Sequence, residues 1–216
     1  MRPASGVSLL VEGPDDKWSL IALLKHVLAA EGLDWDQIPW RPNVEDKGGV
    51  DAVLDSLGVS LKSATRLGVV VDADDDRDAR WAAVRDRLRR AGVEVPETPP
   101  AAGHVGPGWL PDSRVGVWVM PDNRLPGVVE DFLVALVPQG DPCWAFAEEA
   151  AARALVLAPV ERNAAWRSKA RLHTWLAWQD RPGQPLGQAI TSRVLGETGH
   201  PQARAFVDWF GRLFRP

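Results

Sequence analysis

Short apolar runs alternate with amphipathic stretches along the first two thirds of the chain. Val7–Val11, Thr65–Val71 and Val115–Met120 carry apolar, mostly β-branched side chains with little polar alternation, which reads as strands buried on both faces. Between them the apolar positions recur at helical spacing. Trp18, Ile21, Leu24 and Leu28 do so within 15–30, and Trp81, Val84 and Leu88 within 77–91. Gly32 stops the first of these helices, and Gly48–Gly49 opens another over 50–57. Pro39–Val44 reads as a further strand, and 128–137 as a helix after the last one. The resulting β-α-β-α-β-α order predicts an α/β fold: a parallel sheet of about four strands with helices on both faces. Residues 96–111, rich in Pro and Gly, read as a loop, either a lid or a plain connection. From residue 141 the pattern is helical, over 143–157, 162–179, 186–195 and 201–214. This divides the chain into an α/β domain over 1–140 and a helical C-terminal region over 141–216 packed on it.

Three of the predicted strands carry acid at or just after their C-terminal tips. The run Val69–Val70–Val71 breaks into Asp72-Ala73-Asp74-Asp75-Asp76. On a strand, Asp72 and Asp74 leave from the same face. Two carboxylates held that close repel unless a cation sits between them, and a hard divalent ion with oxygen ligands suits the position. The same acids would also serve as a solvated turn capping the next helix. Glu12 stands at the tip of the first strand, in a Glu-Gly-Pro turn, with Asp15 and Asp16 in the helix that follows. Glu130 and Asp131 follow the last strand, in the first turn of the next helix, where acids also satisfy the helix dipole. The βα turns of a parallel sheet open at one edge, so Glu12, Asp72, Asp74 and Glu130 are expected to converge there.

Charge sharpens this picture. The net charge of −4 divides unevenly: residues 1–150 hold 15 Lys and Arg against 25 Asp and Glu, and residues 151–216 hold 10 against 4. An acidic half that holds metal and a basic half that holds a polyanion would produce such a division, as would an ordinary solvated helical surface. Lys169 shares a helix with Arg167, Arg171, Trp166, Trp175 and Trp178. A lysine there would neutralise charge developing on a phosphate; a solvated surface lysine is the plainer reading. The single cysteine, Cys143, excludes an internal disulfide and a cysteine metal site. There is no apolar run of membrane-spanning length and no signal-peptide core, which points to a cytoplasmic protein without a membrane partner. The chain has 11 Trp and no Tyr, and the tryptophans read as core and surface anchors.

Val11-Glu12-Gly13 followed by an amphipathic helix, then Val70-Val71-Asp72-Ala73-Asp74, resembles the TOPRIM fold of topoisomerases, bacterial primases, small ribonucleases and the overcoming-lysogenization-defect (OLD) nucleases. Gly116–Asn123, Glu130-Asp131-Phe132-Leu133 and His173–Gln179 resemble the narrower bacterial TOPRIM-related family DUF3226. The resemblance implies a TOPRIM-like Rossmannoid sheet. It makes Glu12 the general acid/base and a metal ligand, and Asp72 and Asp74 ligands of Mg²⁺ or Mn²⁺. Glu130 is the nearest match to a further metal-holding acid of OLD nucleases, and Lys169 a looser match to a lysine they use.

The chain departs from many TOPRIM proteins where Asp75-Asp76-Arg77 stands in place of a glycine, and without tyrosine it is no self-contained topoisomerase. The expected activity is metal-dependent phosphodiester hydrolysis on nucleic acid, DNA before RNA, in DNA processing or anti-phage defence, by a chain that forms homo-oligomers or acts alone. The alternatives are a catalytically silent binding or regulatory module working with an ATPase, and a phosphatase or nucleotide hydrolase. No Gly-x-x-x-x-Gly-Lys-[Ser/Thr] loop occurs, so any ATPase would be a separate chain.

Overall fold

A computed structural model of the protein describes residues 4–157 and 164–216. It is an α/β fold built on a mixed five-stranded sheet in the order β2-β1-β3-β5-β4. The strands are β1 (Val7–Val11), β2 (Asn43–Asp46), β3 (Arg66–Asp72), β4 (His104–Pro107) and β5 (Arg114–Met120). The helices of the first part are α1 (Pro14–Ala30), α2 (Val50–Leu61), α3 (Arg77–Arg90) and α4 (Val129–Val134). Those after it are α5 (Pro142–Leu157), α6 (Ala164–Leu176), α7 (Leu186–Thr191) and α8 (Pro201–Phe214). The helix start expected at Arg162 lies outside the described residues. The helix expected over 186–195 is shorter, ending at Thr191.

The sheet has one strand more than the hydrophobic pattern implies, and it is not wholly parallel. β4 lies within the Pro- and Gly-rich stretch expected to be a loop, and it pairs antiparallel with β5. Its sequence lacks the apolar run of a central strand because it needs none: it is an edge, and Pro107 is tolerated there because an edge strand has a side without partners. The segment is tied down by α8, where Trp209 Nε1 donates to His104 O at 2.9 Å. β2 also departs from expectation, running from Asn43 to Asp46 and not from Pro39 to Val44. It pairs with β1 through Ser8↔Asn43 to Val11↔Asp46. Only Val44 of this strand is buried, while Ser8 Oγ donates to Glu45 and Lys17 pairs with Asp46. A short, charged edge strand of this kind resists pairing with another chain.

Alternation along the central strands sends side chains into two apolar layers. Leu9, Val11, Val70, Trp118 and Met120 join the layer shared with α1, α4 and α8. Leu10, Leu67, Val69, Val71, Val117 and Val119 join the layer under α2 and α3. Trp118, Phe206 and Trp209 pack ring against ring in the first layer. α8 can lie close to the sheet because Gly68 and Gly116, partners in register, present no side chain to it. A Cβ on Gly116 would stand 2.7 Å from Leu213 Cδ2.

α7 reaches α1 in the same manner. A Cβ on Gly187 would stand 2.7 Å from Trp18 O and 2.8 Å from Trp18 C, both backbone atoms that cannot swing aside. Helix propensity favours Gly187→Ala by up to about 1 kcal/mol. The forced separation of two packed helices costs about 1–3 kcal/mol. The overlap therefore wins, and Gly187→Ala is expected to lower the urea midpoint of unfolding, whereas Gly58→Ala on α2, with open space around its Cβ position, should not.

Candidate active site at the carboxyl edge of the sheet

The chain leaves β1 toward β2 on one side, then crosses back to β3 on the other. This reversal opens a crevice outside the carboxyl ends of β1 and β3, the usual ligand position in open α/β sheets. Glu12 stands at the end of β1 and Asp72 at the end of β3, on either side of the crevice. Glu12 Oε1 accepts from the backbone N–H of Asp72 at 2.8 Å. The backbone N–H groups of Gly48 and Gly49 both donate to Glu12 O at 2.9 Å, bringing the loop before α2 to the same place. The cleft, of about 400 Å³, is lined by Glu12, Asp16, Asp72, Glu130 and Lys169 together with the two glycines.

Asp16 was legible in the sequence only as a helix-terminal acid. It does serve that role, with Oδ2 accepting from Gly13 N at 3.0 Å. It is also buried, and its Oδ1 has no partner. Asp72 Oδ1 and Glu130 Oε2 are likewise buried and unpartnered. Burial is the largest influence on all four acids. It pushes Glu12 up to about 7, against the lowering pull of the Asp72 N–H. It pushes Asp16 up to about 6. Asp72 is raised well above the carboxylate range by burial and then by the charges of Asp16, Glu12 and Glu130. Glu130 is raised by burial and held back by Lys169, whose Nζ stands 3.8 Å from Glu130 Oε1. These residues therefore share one field.

The acids of the Asp72–Asp76 run separate. β3 ends at Asp72, and Asp74 adopts a left-handed φ of 53° with its backbone bonded to Gly127 in both directions. The expected strand alternation, which would have aimed Asp74 with Asp72, stops before it applies. Asp74 Oδ2 instead accepts from Arg80 Nη2 at 2.6 Å, while Arg80 Nε donates to Asp72 O at 2.7 Å. Asp76 caps α3 by accepting from Ala79 N. The structure thus brings Glu12, Asp72, Glu130 and Lys169 to one cleft, adds Asp16, and leaves Asp74 beside it on an arginine.

Lys169 owes its place to a clamp between α6 and the start of α4. Asp131 Oδ2 accepts from Val128 N, and its Oδ1 accepts from Ser168 Oγ at 2.6 Å and Arg171 Nη2 at 3.0 Å. An all-oxygen donor set with three orphaned carboxylate oxygens fits a hard cation such as Mg²⁺ or Mn²⁺ in its chemistry. Among the described residues, however, no three His, Cys, Asp or Glu side chains stand as a ready-made metal cage. The fit is one of donor type and charge.

The molecule is thus a mixed α/β protein with an acidic cleft at the switch point of its sheet. The chain belongs to the family described as "Protein of unknown function (DUF3226)", which it matches over residues 7–215. No curated protein and no solved structure matches it. Among the described residues, no helix is long and apolar enough to cross a membrane.

The raised acids fix a sign for pH dependence. Glu12 and Asp16 hold protons more tightly folded than unfolded, so their contribution to stability is full below about pH 4, their unfolded range. It is lost as pH rises through about 6 to 7. The acids with lowered values, Asp36, Glu45 and Asp46, act in the opposite sense and only at lower pH. Thermal melts in EDTA should therefore show Tm falling between about pH 5 and pH 8. In Asp16→Asn the fall should be shallower; an unchanged slope would mean that Asp16 ionises freely.

Proposed function

We propose that the protein is a metal-dependent phosphodiester hydrolase of the TOPRIM type, acting on nucleic acid and on DNA before RNA. The observation that carries this reading is the set of buried, unpartnered carboxylate oxygens on Asp16, Asp72 and Glu130 beside a Glu12 raised to about 7. Asp16, Asp72 and Glu130 would hold Mg²⁺ or Mn²⁺, with Glu12 at its margin; Asp74 joins only by releasing Arg80. Bound there, the ion would neutralise phosphoryl oxygens and make water more acidic.

The remaining work falls to side chains. Glu12 has a value close to neutral pH, where a general base is most effective. Its Oε2, the oxygen not taken by the Asp72 N–H, accepts the proton of the attacking water. Lys169 Nζ, exposed on one side and facing Glu130 on the other, neutralises charge that builds on the phosphate. The TOPRIM resemblance supplies the substrate class. A role in DNA processing or anti-phage defence, a separate ATPase as partner and assembly into homo-oligomers belong to this same reading.

A second reading is a silent module that keeps the TOPRIM-like shape and acts by docking on an ATPase; among the described residues, the acids of the cleft do not form a ready-made cage. Metal binding separates the two. In the hydrolase, Mn²⁺ titrated calorimetrically gives a binding isotherm that weakens in Asp72→Asn, and supercoiled plasmid is nicked. Glu12→Gln should then lose about 10²–10⁴-fold in rate while melting cooperatively. No Mn²⁺ heat and no nicking from the wild type would leave the silent module.

A further inference from the structure

The opposite edge of the sheet carries the reverse charge. Arg66 and Arg114 are partners in register at the amino ends of β3 and β5. Like charges placed opposite one another on adjacent strands are destabilising, so the pair works against the fold. Arg212 and Arg215, from the end of α8, join them around a cleft of about 1060 Å³. Among the described residues that line it, Asp112 carries the one acidic side chain. Arg215 is paired with Glu31, outside the cleft lining. Among the described residues, no carboxylate lies within 4.0 Å of the guanidinium groups of Arg66, Arg114 or Arg212.

These three are held in place by backbone carbonyls. Arg66 Nη1 donates to Thr65 O and Asp112 O, both at 3.0 Å. Arg114 Nη1 donates to Arg212 O at 3.0 Å, and Arg212 Nη2 to the carbonyls of Ala102 and Gly103. A carbonyl orients a guanidinium without cancelling its charge, and each guanidinium has five N–H donors. Each therefore keeps unused donors on a fixed fork, the arrangement that suits phosphate oxygens.

We propose that this cleft binds a compact oligophosphate, a chain of two or more phosphoryl groups such as a nucleotide's polyphosphate tail. Three uncompensated charges call for several negative charges on one ligand, and a single phosphate supplies about two. A compact ligand is favoured over a long polyanion because the three guanidinium groups gather around this one cleft. The site is separate from the acidic cleft: β3 runs from Arg66 to Asp72, roughly 20 Å at about 3.3 Å per residue. It does not depend on the hydrolase reading.

The test is calorimetric titration of sodium tripolyphosphate into the protein in EDTA, which removes any metal-mediated contact at the acidic cleft. Wild type and Glu12→Gln should bind alike, with binding that weakens as salt rises. Arg66→Gln/Arg114→Gln should weaken it about tenfold or more, with circular dichroism and Tm retained. Arg66→Gln alone, which loses only bonds to exposed carbonyls, serves should the double variant unfold. Absence of binding to wild type, or equal binding to the arginine variants, overturns the proposal. So does a result in which the arginine substitutions weaken binding of a single-stranded oligodeoxynucleotide but not of tripolyphosphate, which would make the cleft a nucleic-acid track.

Discussion

The cost of holding carboxylates together out of water governs the carboxyl edge of the sheet. A buried, unpaired charge is expensive enough that the group takes up a proton instead, and the raised values of Glu12, Asp16, Asp72 and Glu130 express this. The surroundings reduce the penalty without removing it. The Asp72 N–H supports Glu12 and the Gly13 N–H supports Asp16, the positive end of α1 opens nearby, and Lys169 faces Glu130. The cluster is therefore poised to hold protons, and under the proposed function a cation that entered would have to displace them, which would couple its occupancy to pH.

That poise depends on a rigid frame. The two apolar layers clamp β1 and β3 from both faces, so Glu12 and Asp72 cannot part to relieve their repulsion. α8 has a particular share in this. It covers the centre of the sheet through Phe210, Leu213 and Phe214, all buried, and its last turn carries Arg212 to the far edge. One sheet thus holds acid at the carboxyl ends of its strands and base at the amino ends, and the same helices brace both.

Much of this was legible in the sequence. The buried runs of β1, β3 and β5 announce themselves by composition, and the rule that parallel strands open at one edge is enough to gather Glu12, Asp72 and Glu130. Three features were not legible, each for a local reason. β4 is an edge strand whose glycine and proline mimic a loop, and its pairing with β5 is a tertiary fact. Asp74 follows strand periodicity on paper, yet the Gly127 backbone draws it into a left-handed turn where periodicity no longer applies. Asp16 was hidden by a sufficient explanation: an acid in the first turn of a helix needs no second role, and only burial with an orphaned oxygen shows that it has a place in the cleft. In a like manner Arg66 and Arg114 look unremarkable until register sets them side by side.

A purely structural account of the acidic cleft meets a difficulty of its own. Buried polar groups that stabilise a fold are satisfied, and replacing unsatisfied ones with apolar groups tends to be neutral or favourable. The protein has the means to satisfy an acid close by: Arg80 bonds Asp74 and the Asp72 carbonyl, while the Asp72 carboxylate receives nothing from it. At the start of α4, Asp131 is bonded three times over by Val128, Ser168 and Arg171, whereas its neighbour Glu130 keeps a buried oxygen with none. Asp131 and Asp74, which serve the fold, find partners on neighbouring side chains, whereas Asp16, Asp72 and Glu130 each keep one buried oxygen without a partner at the cleft. Adjacent residues treated so differently are what the proposed function accounts for, since a bound ion would be the partner of the unpaired oxygens.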